Sequence, residues 1–110
     1  ASGYRHYIID SFFALCAVNH SQYRNIEYYA GKLNISSRYL YKITKELVQS
    51  TPKQIIDYYV SGSAKKWLLT TILTNQQIAD KLNFPDQATF GQFFKRNVGM
   101  SPSEFRNKYR

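Results

Sequence analysis

Two short strings set fifty residues apart constrain this chain more than anything else in it: Thr51-Pro52-Lys53-Gln54 and Ser101-Pro102-Ser103-Glu104. Each reads as a helix start. A hydroxyl residue caps the first free amides, proline occupies the first helical position where its missing N–H does no harm, and a Gln or Glu three residues on reaches back to the cap. The likeness continues upstream at the same spacing: Leu40 corresponds to Phe90, Lys45 to Lys95, Val48 to Val98 and Ile55 to Phe105. Further back the register slips by one. Ala30 is followed five residues later by Ile35, and Ala79 by Phe84, so the second copy carries one extra residue at Pro85-Asp86. A turn is where such an insertion costs least. The chain therefore writes one structural unit twice.

The unit is helical. The chain has three prolines, no sustained period-two alternation and no Asn-Gly or Asp-Gly hairpin turn, which leaves no strand signal. The expected fold is all-α, with about seven helices forming two helix-turn-helix units joined by a long linking helix. The first helix is expected over about 4–18, with Ile8, Phe12 and Leu15 as its apolar stripe; Ala1-Ser2-Gly3 is set aside. Asn25 is expected to cap a short helix ending near Leu33, and Ser36 one running to about Val48. The linking helix follows Thr51 and runs to about Thr70, with Ile56, Val60, Ser63 and Trp67 as its buried stripe and Gly62 weakening it by roughly 1 kcal/mol. A further capping box at Thr74-Asn75-Gln76-Gln77 opens a helix to about Leu82, followed by helices over about 86–98 and 101–109. The whole, 1–110, is expected to act as a single domain: 4–50 holding the first unit, 51–70 the link and 74–110 the second unit.

Within each copy a short helix meets a second helix through a tight turn. Ile26, Ala30 and Leu33, then Asn34-Ile35, then Leu40 and Ile43 form the first; Ile78, Ala79 and Leu82, then Asn83-Phe84, then Phe90 and Phe94 form the second. Alanine in the first helix allows a close crossing, and Asn34 and Asn83 sit where the turn calls for a positive φ, which Asn tolerates. This is the logic of a helix-turn-helix.

Composition narrows the partner. With 110 residues, 44% of them hydrophobic, the chain can bury a core. Its net charge is +8, from 15 Lys and Arg against 7 Asp and Glu. Residues 1–55 carry seven basic and three acidic groups and residues 56–110 eight and four, so each half is +4. An evenly basic folded chain suits a polyanion, nucleic acid first. No apolar run approaches the roughly 18–20 residues of a membrane helix, and none has the flanks of a signal peptide. One cysteine, Cys16, rules out an internal disulfide and fits a reducing cytoplasm; among Phe12, Phe13 and Leu15 it reads as a small core residue. His6 and His20 share no metal-ligand spacing with Cys16 or a carboxylate and read as surface residues. No nucleophile–base pair, carboxylate pair or glycine-rich phosphate loop is present, so the expectation is a non-enzyme without metal or cofactor.

The stretch Ile78-Ala79-Asp80-Lys81-Leu82-Asn83-Phe84-Pro85-Asp86-Gln87-Ala88-Thr89-Phe90-Gly91-Gln92-Phe93-Phe94-Lys95-Arg96, continued by Gly99-Met100-Ser101-Pro102-Ser103-Glu104-Phe105-Arg106, resembles the signature of AraC-family transcription regulators. Tyr28-Tyr29-Ala30-Gly31-Lys32-Leu33-Asn34-Ile35-Ser36, with Tyr39-Leu40, is similar to the family's first unit. The resemblance covers roughly residues 25–110. It implies sequence-specific duplex-DNA binding in bacterial transcription control, with a sensing or dimerisation domain outside these residues and RNA polymerase or other transcription machinery as a partner of the intact protein. It also implies recognition helices in successive major-groove segments, about 34 Å apart. By position, the base readers of the first unit are Arg38, Tyr41 and Lys42, which share a face through i, i+3 and i+4 spacing. Those of the second are Gln87, Ala88, Gly91 and Gln92. Arg and Lys suit guanine O6 and N7, Gln suits adenine, and Ala88 and Gly91 allow close approach to a thymine methyl. Ser36, Lys45, Thr89, Lys95, Arg96 and Arg106 are the phosphate candidates, which position without specifying. Three residues depart from the family pattern: Gln49 stands for a glycine, Thr44 for an aromatic and Val60 for a basic residue.

Bland readings stand beside these. Trp67, Phe90, Phe94, Phe105 and at least one of Tyr28 and Tyr29 are expected in the core. Lys65, Lys66, Lys81 and Lys108 read as solvated surface. The competing function is a helical protein–protein interaction module without DNA specificity, which salt response separates from a duplex binder.

Overall fold

The computed structural model describes residues 2–110, so Ala1 lies outside the described residues. Among them are seven helices and no strand: α1 (Ser2–Asn19), α2 (Ile26–Lys32), α3 (Ser37–Val48), α4 (Pro52–Thr70), α5 (Asn75–Lys81), α6 (Gln87–Val98) and α7 (Pro102–Tyr109). The chain separates into two compact units, the first up to Tyr59 and the second Val60–Arg110, so α4 begins in one and ends in the other.

The helix starts follow the cap chemistry. Asn25, Ser36, Thr74, Asp86 and Ser101 each hold extended backbone angles and accept from an amide three residues on. At Thr51, Thr74 and Ser101 the third residue returns the bond: the Gln54, Gln77 and Glu104 side chains accept from the cap amides at 2.9 Å. The helix ends follow backbone chirality. Asn34 and Asn83 take φ of 57° and 60°, and Gly99 takes 98°. Gln49, the counterpart of Gly99, also adopts a left-handed φ of 54°, and its side-chain amide donates to the Glu46 carbonyl at 3.1 Å. A side chain there is strained by roughly 1–2 kcal/mol, which is why glycine favours the position.

In the first unit α1 buries Ile8, Ile9, Phe12 and Cys16. Leu15, expected in the stripe, is only half-buried, and Cys16, one residue on, is the fully buried one. Phe12 meets the buried Tyr29 ring edge-on at 5.5 Å, and the Tyr29 hydroxyl donates to the Tyr23 carbonyl at 2.6 Å. Leu40, Ile43 and Thr44 close the core from α3. Thr44, though polar, is fully buried, and its hydroxyl donates to the Tyr41 carbonyl at 3.0 Å. His20 is not the surface residue expected; half-buried, its Nδ1 lies 2.7 Å from the Cys16 carbonyl. Burial pushes the Cys16 thiol up to about 12, consistent with a packing residue. Arg5 of α1 pairs with Glu46 of α3.

In the second unit Phe90 and Phe94 are fully buried, with Phe93 and Phe105 nearly so. Their rings form a continuous run, Phe90–Phe94 at 5.9 Å and Phe94–Phe105 at 5.5 Å. Ile78, Ala79 and Leu82 join this core from α5 and its C-terminal end. Along α4 the buried residues are Pro52, Ile55, Ile56, Val60, Ser61, Ala64 and Leu68. The expected stripe is corrected here: Ile56 and Val60 belong to it, but Ser63 and Trp67 are only half-buried. The ammonium of Lys81 lies 5.8 Å from the centre of the Trp67 ring, covering it, so Lys81 is more than solvated surface.

Candidate nucleic-acid interface

Each unit offers the second helix of its pair to solvent along one side. In the first, burying Leu40, Ile43 and Thr44 of α3 turns Arg38, Tyr41, Lys42 and Lys45 outward. Tyr41 keeps 49% of its surface exposed, a position that leaves a large ring free to meet a partner. Ser36, Arg38, Tyr41, Lys42 and Lys45 line one shallow groove. Arg38, Lys42 and Lys45 bring three cations to this face within two turns.

In the second unit, burying Phe90, Phe93 and Phe94 of α6 turns Gln87, Ala88 and Gln92 outward, with Gly91 half-exposed. Gln87, Ala88 and Gly91 line a groove with Asn75, Pro102 and Ser103. One wall of it is fixed by a hydrogen bond from the Asn75 side-chain amide to the Ser103 hydroxyl at 3.0 Å. A Cβ built on Gly91 would meet nothing within 4 Å, so glycine here is not demanded by the fold. Lys95 and Arg96 are exposed in the last turn.

The phosphate candidates divide. Lys45, Lys95 and Arg96 are exposed on their helices. The Ser36 hydroxyl serves as a cap, accepting from the Tyr39 amide at 3.0 Å. Thr89 is tied to the neighbouring cap, its amide donating to Asp86 Oδ1 at 2.7 Å. Arg106 is turned away to hold the backbone: its Nε donates to the Leu68 carbonyl at 2.9 Å and a terminal nitrogen donates to the Thr71 carbonyl at 3.2 Å. It closes the open carbonyls at the end of α4, where a cation is favoured.

Asp86 is the residue that sequence reasoning passes over as part of an insertion. It caps α6, fully exposed, and hydrogen bonds from the backbone and then the side chain of Thr89 hold its carboxyl below the usual range. The signal was available: Asp86 stands fifty residues after Ser36, and both cap a second helix. Likewise the Ser101 amide, its hydroxyl and then the charge of Lys95 depress Glu104. Among the described residues no group of three or more His, Cys, Asp or Glu is placed to hold a metal ion, and no helix is long and apolar enough to cross a membrane.

Two helical pairs in one chain, each with an exposed polar second helix, define a double helix-turn-helix protein. Residues 29–108 match the family described as "Helix-turn-helix domain". Over 74 residues the chain is 35% identical to the raffinose operon transcriptional regulatory protein RafR of Pediococcus pentosaceus, covering 67% of this chain and 27% of that regulator's length. The C-terminal domain of AraT, a response regulator from Geobacillus stearothermophilus, superposes with a TM-score of 0.85 at 26% identity over 91% of this chain and 84% of that one. The DNA-binding domain of AdpA, a global transcriptional factor solved in complex with a target DNA, has the same fold, with a TM-score of 0.80 at 22% identity, covering 94% and 92% of the two chains. The chain belongs to the AraC-type helix-turn-helix family of transcription regulators.

Proposed function

We propose that this chain is the duplex-DNA-reading part of a bacterial transcription regulator, acting in the cytoplasm where its target lies and performing no chemistry of its own. Both copies serve as readers and together act as one DNA-binding domain. Arg38, Tyr41 and Lys42 from α3 and Gln87, Ala88, Gly91 and Gln92 from α6 meet base edges, while Lys45, Lys95 and Arg96 grip phosphates. Ser36 and Thr89 hold the helix starts that meet the backbone. RNA polymerase or another part of the transcription machinery is the further partner of the intact regulator. The single observation behind this is the repetition: the same position in each helical pair is left exposed and polar while its apolar side fills the core.

Selection of bound sequences from a random duplex pool tests the proposal, and one enriched motif is the expected result. Arg38→Ala should then lose about 1–3 kcal/mol on that motif and relax the choice at one position. A motif-free pool, or a loss equal on random DNA, would remove base reading from Arg38. Footprinting adds the second half: protection of two successive major-groove segments is expected, and protection confined to one turn would leave a single reader.

A further inference from the structure

Resting on the duplex-DNA reading above, we propose that the Asp86 carboxylate is a specificity determinant of the second unit, accepting from an exocyclic base amine and excluding guanine at that position. The two reading faces differ in chemistry. The face of α3 carries Arg38 and Lys42, donors that suit guanine O6 and N7. The first two turns of α6 carry no charge at all: Gln87, Ala88, Gly91 and Gln92 are neutral, and the basic residues of that helix wait until Lys95 and Arg96. The one charged group at the leading end is Asp86, adjacent to Gln87 and fully exposed. In helix-turn-helix proteins the N-terminal residues of the second helix are those that contact base edges.

A carboxylate in that place sorts the bases by their major-groove edges. It accepts from cytosine N4 or adenine N6, and it is repelled by guanine O6 and N7 and by thymine O4. Away from an amine it stands in the negative field of the duplex and weakens binding to any sequence. Thr89 engages the carboxylate twice, its amide donating to Oδ1 at 2.7 Å and its hydroxyl also bonding to it. A carboxylate has about four lone-pair positions, which leaves acceptor capacity for a base. An exposed aspartate is ionised at neutral pH in any case, and the same hydrogen bonds hold its carboxyl lower still. The first copy solves the identical capping problem with neutral Ser36, so capping does not by itself require a charge here.

The test is binding of the 110-residue chain and two variants, Asp86→Asn and Asp86→Ser, to a panel of duplexes carrying each base at every position of the selected motif. Asparagine and serine both cap helices, and Asp86→Ser transplants the first copy's own cap, so thermal melts confirm that both fold. The expected result is tighter binding of random duplex by both variants, together with an about five- to tenfold loss of discrimination against guanine at one position, within the range of a single base contact. Unchanged guanine discrimination at every position, with all duplexes bound equally tighter, would overturn the proposal and reduce Asp86 to background repulsion. A wild-type chain that enriches no motif would instead overturn the duplex-reading function itself, and this inference with it.

Discussion

Arg106 reaches the last turn of α4 with two donors, and its loss would expose the Leu68 and Thr71 carbonyls that they serve. Arg106→Ala should therefore cost about 1–3 kcal/mol of stability, read as a lower melting midpoint, while the affinity of the folded fraction for duplex DNA stays unchanged. A fall in affinity without a fall in stability would restore Arg106 to the phosphate-binding set. The acidic caps make a second prediction. Asp86 and Glu104 have folded-state pKa values below their unfolded ones, so their contribution is complete above the ordinary carboxylate range and is lost as pH falls through the depressed values. Asp86→Asn keeps an acceptor and drops the charge. Thermal melts taken from neutral pH downward should show the wild type more stable near neutrality and its advantage vanishing in acid; parallel melting curves would refute this. Single residues are legible in the sequence where the backbone alone decides. Asn34 and Asn83 stand at left-handed turns, and the sequence announces them because few other side chains go there. Arg106 is not legible in this way, because its carbonyl partners lie 38 and 35 residues away and nothing local points to them.

Helix boundaries are legible nearly to the residue, since caps are written in the four residues that form them. Faces are less so. On α3 and α6 polar and apolar residues segregate, and the exposed side follows directly. On α1 and α4 apolar residues occur all round, so periodicity admits several stripes, and only packing selects Cys16 over Leu15 or Ala64 and Leu68 over Ser63 and Trp67. Two glycines turn helix propensity into a functional test. Gly62 in α4 and Gly91 in α6 both face open space. Alanine at either site should stabilise the chain by about 0.5–1 kcal/mol, because glycine loses more conformational freedom on ordering. Their DNA affinities should then part. Gly62→Ala is expected to bind as the wild type does, whereas Gly91→Ala places a methyl group where α6 approaches a base pair and should bind more weakly. Equal affinities in a titration would show that α6 does not come that close.

At the scale of the whole molecule the charge of +8 makes ionic strength the discriminating variable. If Lys45, Lys95 and Arg96 each neutralise a phosphate, the logarithm of the binding constant should fall with the logarithm of salt at a slope of about −3 or steeper. Lys95→Ala should make that slope shallower by about one while weakening all sequences alike. A nearly flat dependence would favour a protein-docking module over a DNA reader.

The lone thiol and the lone indole happen to report on different halves of the chain. Cys16 lies fully buried in the first unit, out of reach of an alkylating reagent until that unit opens, and Trp67 stands half-covered by Lys81 in the second. Labelling kinetics thus time the opening of one half, while indole fluorescence follows the other, with no probe added. Coincident denaturant midpoints would mean that the 110 residues come apart in a single cooperative event; separated midpoints would give each half a free energy of its own.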